Sequence, residues 1–213
     1  MKRFWGAGGA SAIIAAIALA FGGSGQALAQ QVSNFPVVQA VVKTTVGLPA
    51  ASAAPGSVEA VAKEATILQR AGWPLYALVD KFSGGSPMTD QAQCIAVAVY
   101  HEARGETLEG QLAVAKVIMN RAASGKYPAS WCGVVKQPWQ FSFVNPRTGH
   151  VPSVDEASAA WGKALGITRL AVANAIPILS DDVLWYHADY VAPGWGRRLT
   201  KVNKIGAHIF YRA

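Results

Sequence analysis

The chain has little of what would mark several large classes of protein. No heptad pattern runs long enough for a coiled coil, and no Gly-X-Y repeat is present, so a fibrous protein is excluded. No segment recurs at a fixed period, which excludes a solenoid. Charged residues make up only 15% of the 213, against 52% hydrophobic, the reverse of what a disordered chain needs. Long apolar runs are scarce too. One stretch near the N-terminus is a candidate span, so a polytopic membrane protein is excluded. There is no Gly-rich phosphate loop and no Gly-x-Ser-x-Gly elbow.

What is present begins with an export signal. Lys2 and Arg3 precede a small-residue apolar core at residues 12–21, and Ala27-Leu28-Ala29 fits the signal-peptidase rule. Residues 1–29 therefore read as a signal peptide rather than an uncleaved anchor, leaving no stable membrane span after cleavage. No cysteine near the cut supports a lipoprotein. Cleavage removes two cations and no acids, so the net charge falls from +7 to +5. That balance suits an anionic polymer or membrane face. Export and the absence of a dense basic run argue against nucleic acid. The two cysteines, Cys94 and Cys132, read as one disulfide in an exported chain. A reduced buried pair, or a Cys nucleophile beside one of the four histidines, is the alternative.

Residues 30–87 read as a linker with one or two short helices, at residues 59–70 and 75–82. Ser83-Gly84-Gly85-Ser86-Pro87 breaks the chain, and residues 88–213 are long enough for one core. Within them the pattern predicts helices over residues 90–104 (with Asp90 and Gln93 as a capping pair), 109–123 and 153–174. Ser153 and Glu156 form a capping box for the third, which carries Gly162 and Gly166 on one face. Those two glycines either admit a close neighbour or weaken the helix. Residues 183–190 and 205–211 read as strands. The expected fold class is α+β, helix-dominated, with a small β part near the C-terminus.

The most informative stretch is Tyr100-His101-Glu102-Ala103-Arg104-Gly105-Glu106. Ile95, Ala98 and Val99 share a helical face with Glu102, which places a carboxyl at the end of an apolar stripe. Desolvation there raises its pKa and suits it to act as a general acid. The same spacing describes a buried Glu paired with Arg104 or Arg121, and spacing alone slightly favours that pairing. Glu106, one turn on, is a possible second carboxylate, though pairing with an Arg or capping the next helix is the simpler reading. His101-Glu102 begins a zinc motif whose second ligand would fall at Gly105, so the match fails and no metal is expected. Aromatics cluster around Gln140-Phe141 and around Tyr186-His187-Ala188-Asp189 with Trp195. Such rings stack on sugars, and Gln, His and Asp bond hydroxyl and acetamido groups. Strand alternation would turn Tyr186 or His187 toward a cleft, but not both.

Taken together, the segments from Cys94 to Glu106, Gly110 to Ala115 and Val117 to Arg121 resemble the SleB-type cell wall hydrolases. So do the later Tyr127-Pro128, Cys132-Gly133-Val134-Val135, Gln140-Phe141-Ser142, the segment from Tyr186 to Val191 and that from Ile205 to Tyr211. The resemblance covers nearly all of residues 88–213 and none of 30–87. It implies a lysozyme-like or lytic-transglycosylase-like catalytic domain that cleaves peptidoglycan glycan strands in the periplasm or at the cell wall, without a cofactor. Glu102 is implied as the general acid and base. Gln140, Phe141, Tyr186, His187, Asp189 and Trp195 are the expected substrate contacts. Exported relatives often carry a second cysteine pair around Gln-Phe-Ser, where this chain has Trp139 and Val144. The peptidoglycan-binding repeat of the spore enzymes is also missing from residues 30–87, so targeting rests on the catalytic domain or on a protein partner. A hydrolysing muramidase, a zinc amidase or peptidase using His101, His187 or His208, and a non-catalytic murein-binding module are the competing readings.

Overall fold

In the computed structural model, Ala54 and residues 56–213 are described; the expected signal peptide and residues 30–53 lie outside them. Ser57 opens the first helix by accepting a hydrogen bond from the Ala60 amide. This helix, α1 (Val58–Arg70), and α2 (Leu75–Lys81) stand where two short helices were expected. They are not peripheral. Val61, Ala65, Leu78, Val79 and Phe82 are buried in the same core as the later helices. Helix α6 (Ala159–Val172) receives them: Gly166 sits so close to α2 that a Cβ there would collide with the Val79 carbonyl. Gly162 meets only ordinary contact, so the glycine pair serves close approach at one position.

Helix α3 (Asp90–Ala103) buries Ile95, Ala96, Ala98, Val99 and Ala103, the apolar stripe that leads to Glu102. Its cap is Thr89, whose hydroxyl accepts from the Ala92 amide; Asp90 and Gln93 do not form the expected pair. Helix α4 (Leu108–Ala123), capped by Thr107, is the central helix. Residues 110–115 are all buried, so it has no broad solvent face there, as befits a helix walled in on every side. Its three buried polar side chains are spent on carbonyls. Gln111 donates to Glu106 O, Asn120 to Ser180 O and Val183 O, and Arg121 Nε to Leu184 O. The last two fasten the first strand to α4.

Helix α5 (Trp131–Lys136) and strand β2 (Thr200–Ile205) were not expected, nor was the 3-10 turn at Gly194–Arg198. Helix α5 is six residues long, too short to show a period, and is held by the Ser130 cap and the Cys94–Cys132 disulfide to α3. Strand β2 carries Lys, Asn and Thr and is exposed along nearly its whole length, so it has no apolar alternation. It pairs with β3 (His208–Arg212), which pairs with β1 (Val183–Ala188), giving an antiparallel sheet of order β1-β3-β2. Val183 and Phe210 pack this sheet on Ala113 and Val117 of α4.

The start of α6 corrects the capping box expected at Ser153 and Glu156. The Asp155 carboxylate accepts from the Ala157 amide and the Asp155 carbonyl from Ser158, a local turn that competes with helix. The helix begins only after Ser158, which caps the Trp161 amide.

Candidate functional site

A groove of about 340 Å³ opens where the end of α3, the last turn of α4, the loop after α5 and the sheet converge. Glu102 lies in it, half-buried, in the last turn of α3. Burial pushes the Glu102 carboxyl above its ordinary range, opposed in smaller part by the Tyr186 hydroxyl and the positive field of Arg121. The Tyr186 hydroxyl lies 3.5 Å from Glu102 Oε1, a long contact in which the phenol donates. Burial and the neighbouring carboxylate push that phenol well above its own ordinary value, so it keeps its proton. Among the described residues no ion pair reaches Glu102. Arg104 packs over the Tyr100 ring, and Arg121 is held by its Nε bond to Leu184 O. The expected alternative, a Glu locked to an arginine, is not what the fold builds.

Tyr186 and His187 both line the groove, which corrects the expectation of one only. Tyr186 is wedged against His208 and Phe210, with the Arg121 guanidinium 5.9 Å from its ring centre. His187 Nδ1 lies 2.8 Å from its neighbour's carbonyl, Ala188 O. With the Nδ1 proton on that bond, Nε2 accepts from the Tyr211 hydroxyl at 2.9 Å. The register is irregular only between Val183 and Trp185 and regular from Trp185 to Ala188, so no bulge accounts for both side chains lining the groove.

Three other expected contacts are displaced. Phe141 is only 2% exposed and belongs to the core, while its neighbours Gln140 and Ser142 line the groove. Trp195 packs edge-on against His187 and Tyr211 and supports the groove wall from outside it. Asp189 is bonded to Lys204 at 2.7 Å, an interaction that holds its carboxyl below the usual range, and it does not line the groove.

Glu106 lines the groove but is fixed to the β2–β3 turn rather than to an arginine. Its Oε2 accepts from the Ala207 amide at 2.8 Å. Gly206, at φ 58°, leaves the room for this: a Cβ there would collide with the carboxylate. His208 Nδ1 faces Glu106 Oε1 at 4.0 Å, and burial pushes its imidazole below the ordinary range, so the two are not an ion pair at neutral pH. His101 is occupied elsewhere: it stacks on Phe143 and its Nε2 donates to the Pro152 carbonyl at 3.2 Å. Among the described residues no three His, Cys, Asp or Glu side chains converge as a metal site. No described helix is long and apolar enough to cross a membrane.

Sequence reading missed the groove's Ser142 and exposed Tyr190, and saw Arg121 only as a salt-bridge partner. A signal for Arg121 exists. It is a charge set on a helix with almost no polar face, which marks a residue with a task.

The fold is thus a helical body that presents a half-buried carboxyl in an open polar groove. Residues 105–211, half of the chain, match the family of cell wall hydrolases, and the chain belongs to that family. The matched span starts three residues after Glu102 and takes in all of the groove's lining except His101 and Glu102. The chain is 32% identical over 136 residues to the spore cortex-lytic enzyme of Oceanobacillus iheyensis, covering 60% of this chain and 46% of that one. It is 36% identical over 141 residues to that of Bacillus subtilis, covering 63% and 41%. It thus spans less than half the length of these relatives. The catalytic domain of the Bacillus cereus SleB protein is 30% identical, with 61% of this chain and 94% of that one covered at a TM-score of 0.47.

Proposed function

We propose that this protein is a lytic transglycosylase that cuts peptidoglycan between N-acetylmuramic acid and N-acetylglucosamine, with Glu102 as both acid and base. The observation that carries the reading is Glu102 itself, a carboxyl whose burial raises it above its ordinary range while it lines an open groove. Family membership supports the substrate class.

In this reaction the Glu102 carboxyl gives its proton to the oxygen bridging the two sugars. The muramyl C1–O bond breaks, its electron pair leaving with the glucosamine O4. The muramyl C6 oxygen then attacks C1, and its proton passes to the Glu102 carboxylate. An anhydro ring closes, no water is consumed, and the acid is restored. Between the two transfers the Tyr186 hydroxyl donates to Oε1 and stabilises the carboxylate. The cycle needs one carboxyl only, which suits the commitment of Glu106 to the Ala207 amide. Action outside the cytoplasmic membrane follows from such a substrate, and the disulfide suits that compartment.

Mass spectrometry of sacculi digested with the protein tests the reading. Fragments ending in anhydro-muramic acid, lighter by one water than muramidase products, are expected. Reducing muramic ends alone would make it a hydrolase. Released peptides without glycan cleavage would overturn the reading altogether.

A further inference from the structure

Arg121 presents a problem that the proposed reaction does not solve. It is 6% exposed and yet lines the groove. Its guanidinium carries a full charge at physiological pH, and buried charges are costly unless paired. Its Nε is spent on Leu184 O. Tyr127 and Tyr186 offer ring faces at 5.1 and 5.9 Å, which attract the cation without using its N–H groups. Among the described residues no carboxylate lies within 4.0 Å of it, and its terminal nitrogens have no hydrogen-bond acceptor. The acids nearby are committed. Glu106 holds the Ala207 amide and Asp189 holds Lys204, while Glu102 feels the Arg121 charge at longer range without forming an ion pair with it. The groove therefore presents a guanidinium, buried along its stem, whose terminal nitrogens open on the groove and meet no acceptor among the described residues.

We propose that Arg121 is a specificity residue that reads a carboxylate on the substrate, an inference that rests on the glycan-cleaving reading above. Peptidoglycan offers two sources. One is the lactyl carboxylate of a muramic acid whose stem peptide has been removed. The other is a carboxylate of the stem peptide itself, since the lactyl group is then an amide. A planar guanidinium takes either bidentately, and a neutral acetamido carbonyl would leave the charge unpaired. If the lactyl group is the one read, the class of reaction that supplies this substrate is amide hydrolysis, which strips peptides from the glycan. Pairing has a second effect. Arg121 favours the ionised form of Glu102, so an anion bound to it weakens that pull and leaves Glu102 holding its proton to higher pH.

The test is calorimetric binding to the full chain, using a tetrasaccharide of alternating glucosamine and muramic acid in three forms. One has free lactyl carboxylates, one has them converted to methylamides, and one carries stem peptides. The free form is expected to bind at least tenfold more tightly than the methylamide. R121Q should bring the free form down to the methylamide's level, and R121K should restore part of the difference. If the peptide-bearing form binds as tightly as the free one and is weakened by R121Q, the peptide supplies the anion. If it binds like the methylamide, the lactyl group does. Equal binding of the free, methylamide and peptide-bearing forms by the wild-type protein, weak or strong, overturns the proposal without reference to any variant. Sacculus digestion is scored separately. Cleavage without carboxylate discrimination sinks the Arg121 role alone, and discrimination without cleavage sinks the transglycosylase reading alone.

Discussion

Glu102→Gln is expected to lower the rate of glycan release by about 10²–10⁴-fold while making the protein more stable at neutral pH. The two effects have one origin. The amide keeps the shape of the side chain but has no proton to give to the bridge oxygen. It also has no charge to bury. The wild-type carboxyl titrates above its ordinary range because burial disfavours the carboxylate. In the window between the ordinary and the raised value the native state keeps a proton that the unfolded chain has lost. Stability is then fullest below about pH 4, and part of it is lost as pH rises through that window. Glutamine abolishes this decline. The variant should match the wild type in its pH trend in acid and melt higher at pH 7, with each kcal/mol of relieved burial raising Tm by about 2–4 °C. Thermal melts from pH 3 to 8, beside release of soluble glycan, measure both. Full activity in the variant removes Glu102 from the reaction; melting curves that run parallel at every pH remove the desolvation argument.

The second large effect is expected from the Cys94–Cys132 bond. It joins α3 to α5 across 38 residues of sequence. A loop of that length restricts the unfolded chain by about 4 kcal/mol in the chain-entropy account. At about 2–4 °C per kcal/mol, replacing both cysteines by alanine should lower Tm by about 10 °C. The bond also sets the site. Helix α5 leads into the loop carrying Gln140 and Ser142, and α3 carries Glu102. Beyond the disulfide, α5 rests on α3 partly through the Cys132 amide, which donates to Gln91. Loss of the bond should therefore weaken substrate binding before the protein melts. Differential scanning calorimetry with and without reductant is the measurement. Coincident melts would mean that packing alone seats α5.

The long helices were legible because their signal is repeated. Helices α1, α3 and α4 begin and end within about two residues of where periodicity and breakers place them. Glu102 was legible for the same reason, since Ile95, Ala98 and Val99 announce which way its side chain points. Where a signal is local, competition decides. The Ser153 box lost to the turn made by Asp155, and α5 and β2 were too short or too polar to register. The errors within the site are errors of direction. Phe141 and Trp195 lie beside the groove in sequence and in space, but a loop carries no period to say which ring faces inward. Arg121 needed the fold most. Its sequence neighbourhood shows a charge on an apolar helix; only the placement of the surrounding acids shows that the charge is unclaimed.

The clasp that Arg169 makes on the loop after α2 changes where the chain can be cut. Its guanidinium donates to the carbonyls of Phe82, Ser83 and Ser86, tying α6 to a stretch that composition marks as a hinge. Trimming the protein to start at Met88 would strip α1 and α2 from α6 and leave the furrow at Gly166 facing water. Such a fragment should bind hydrophobic dyes and precipitate on expression, whereas one that keeps the Ser57 cap should stay in solution. The minimal recombinant unit is thus some thirty residues longer than the glycine-rich break suggests.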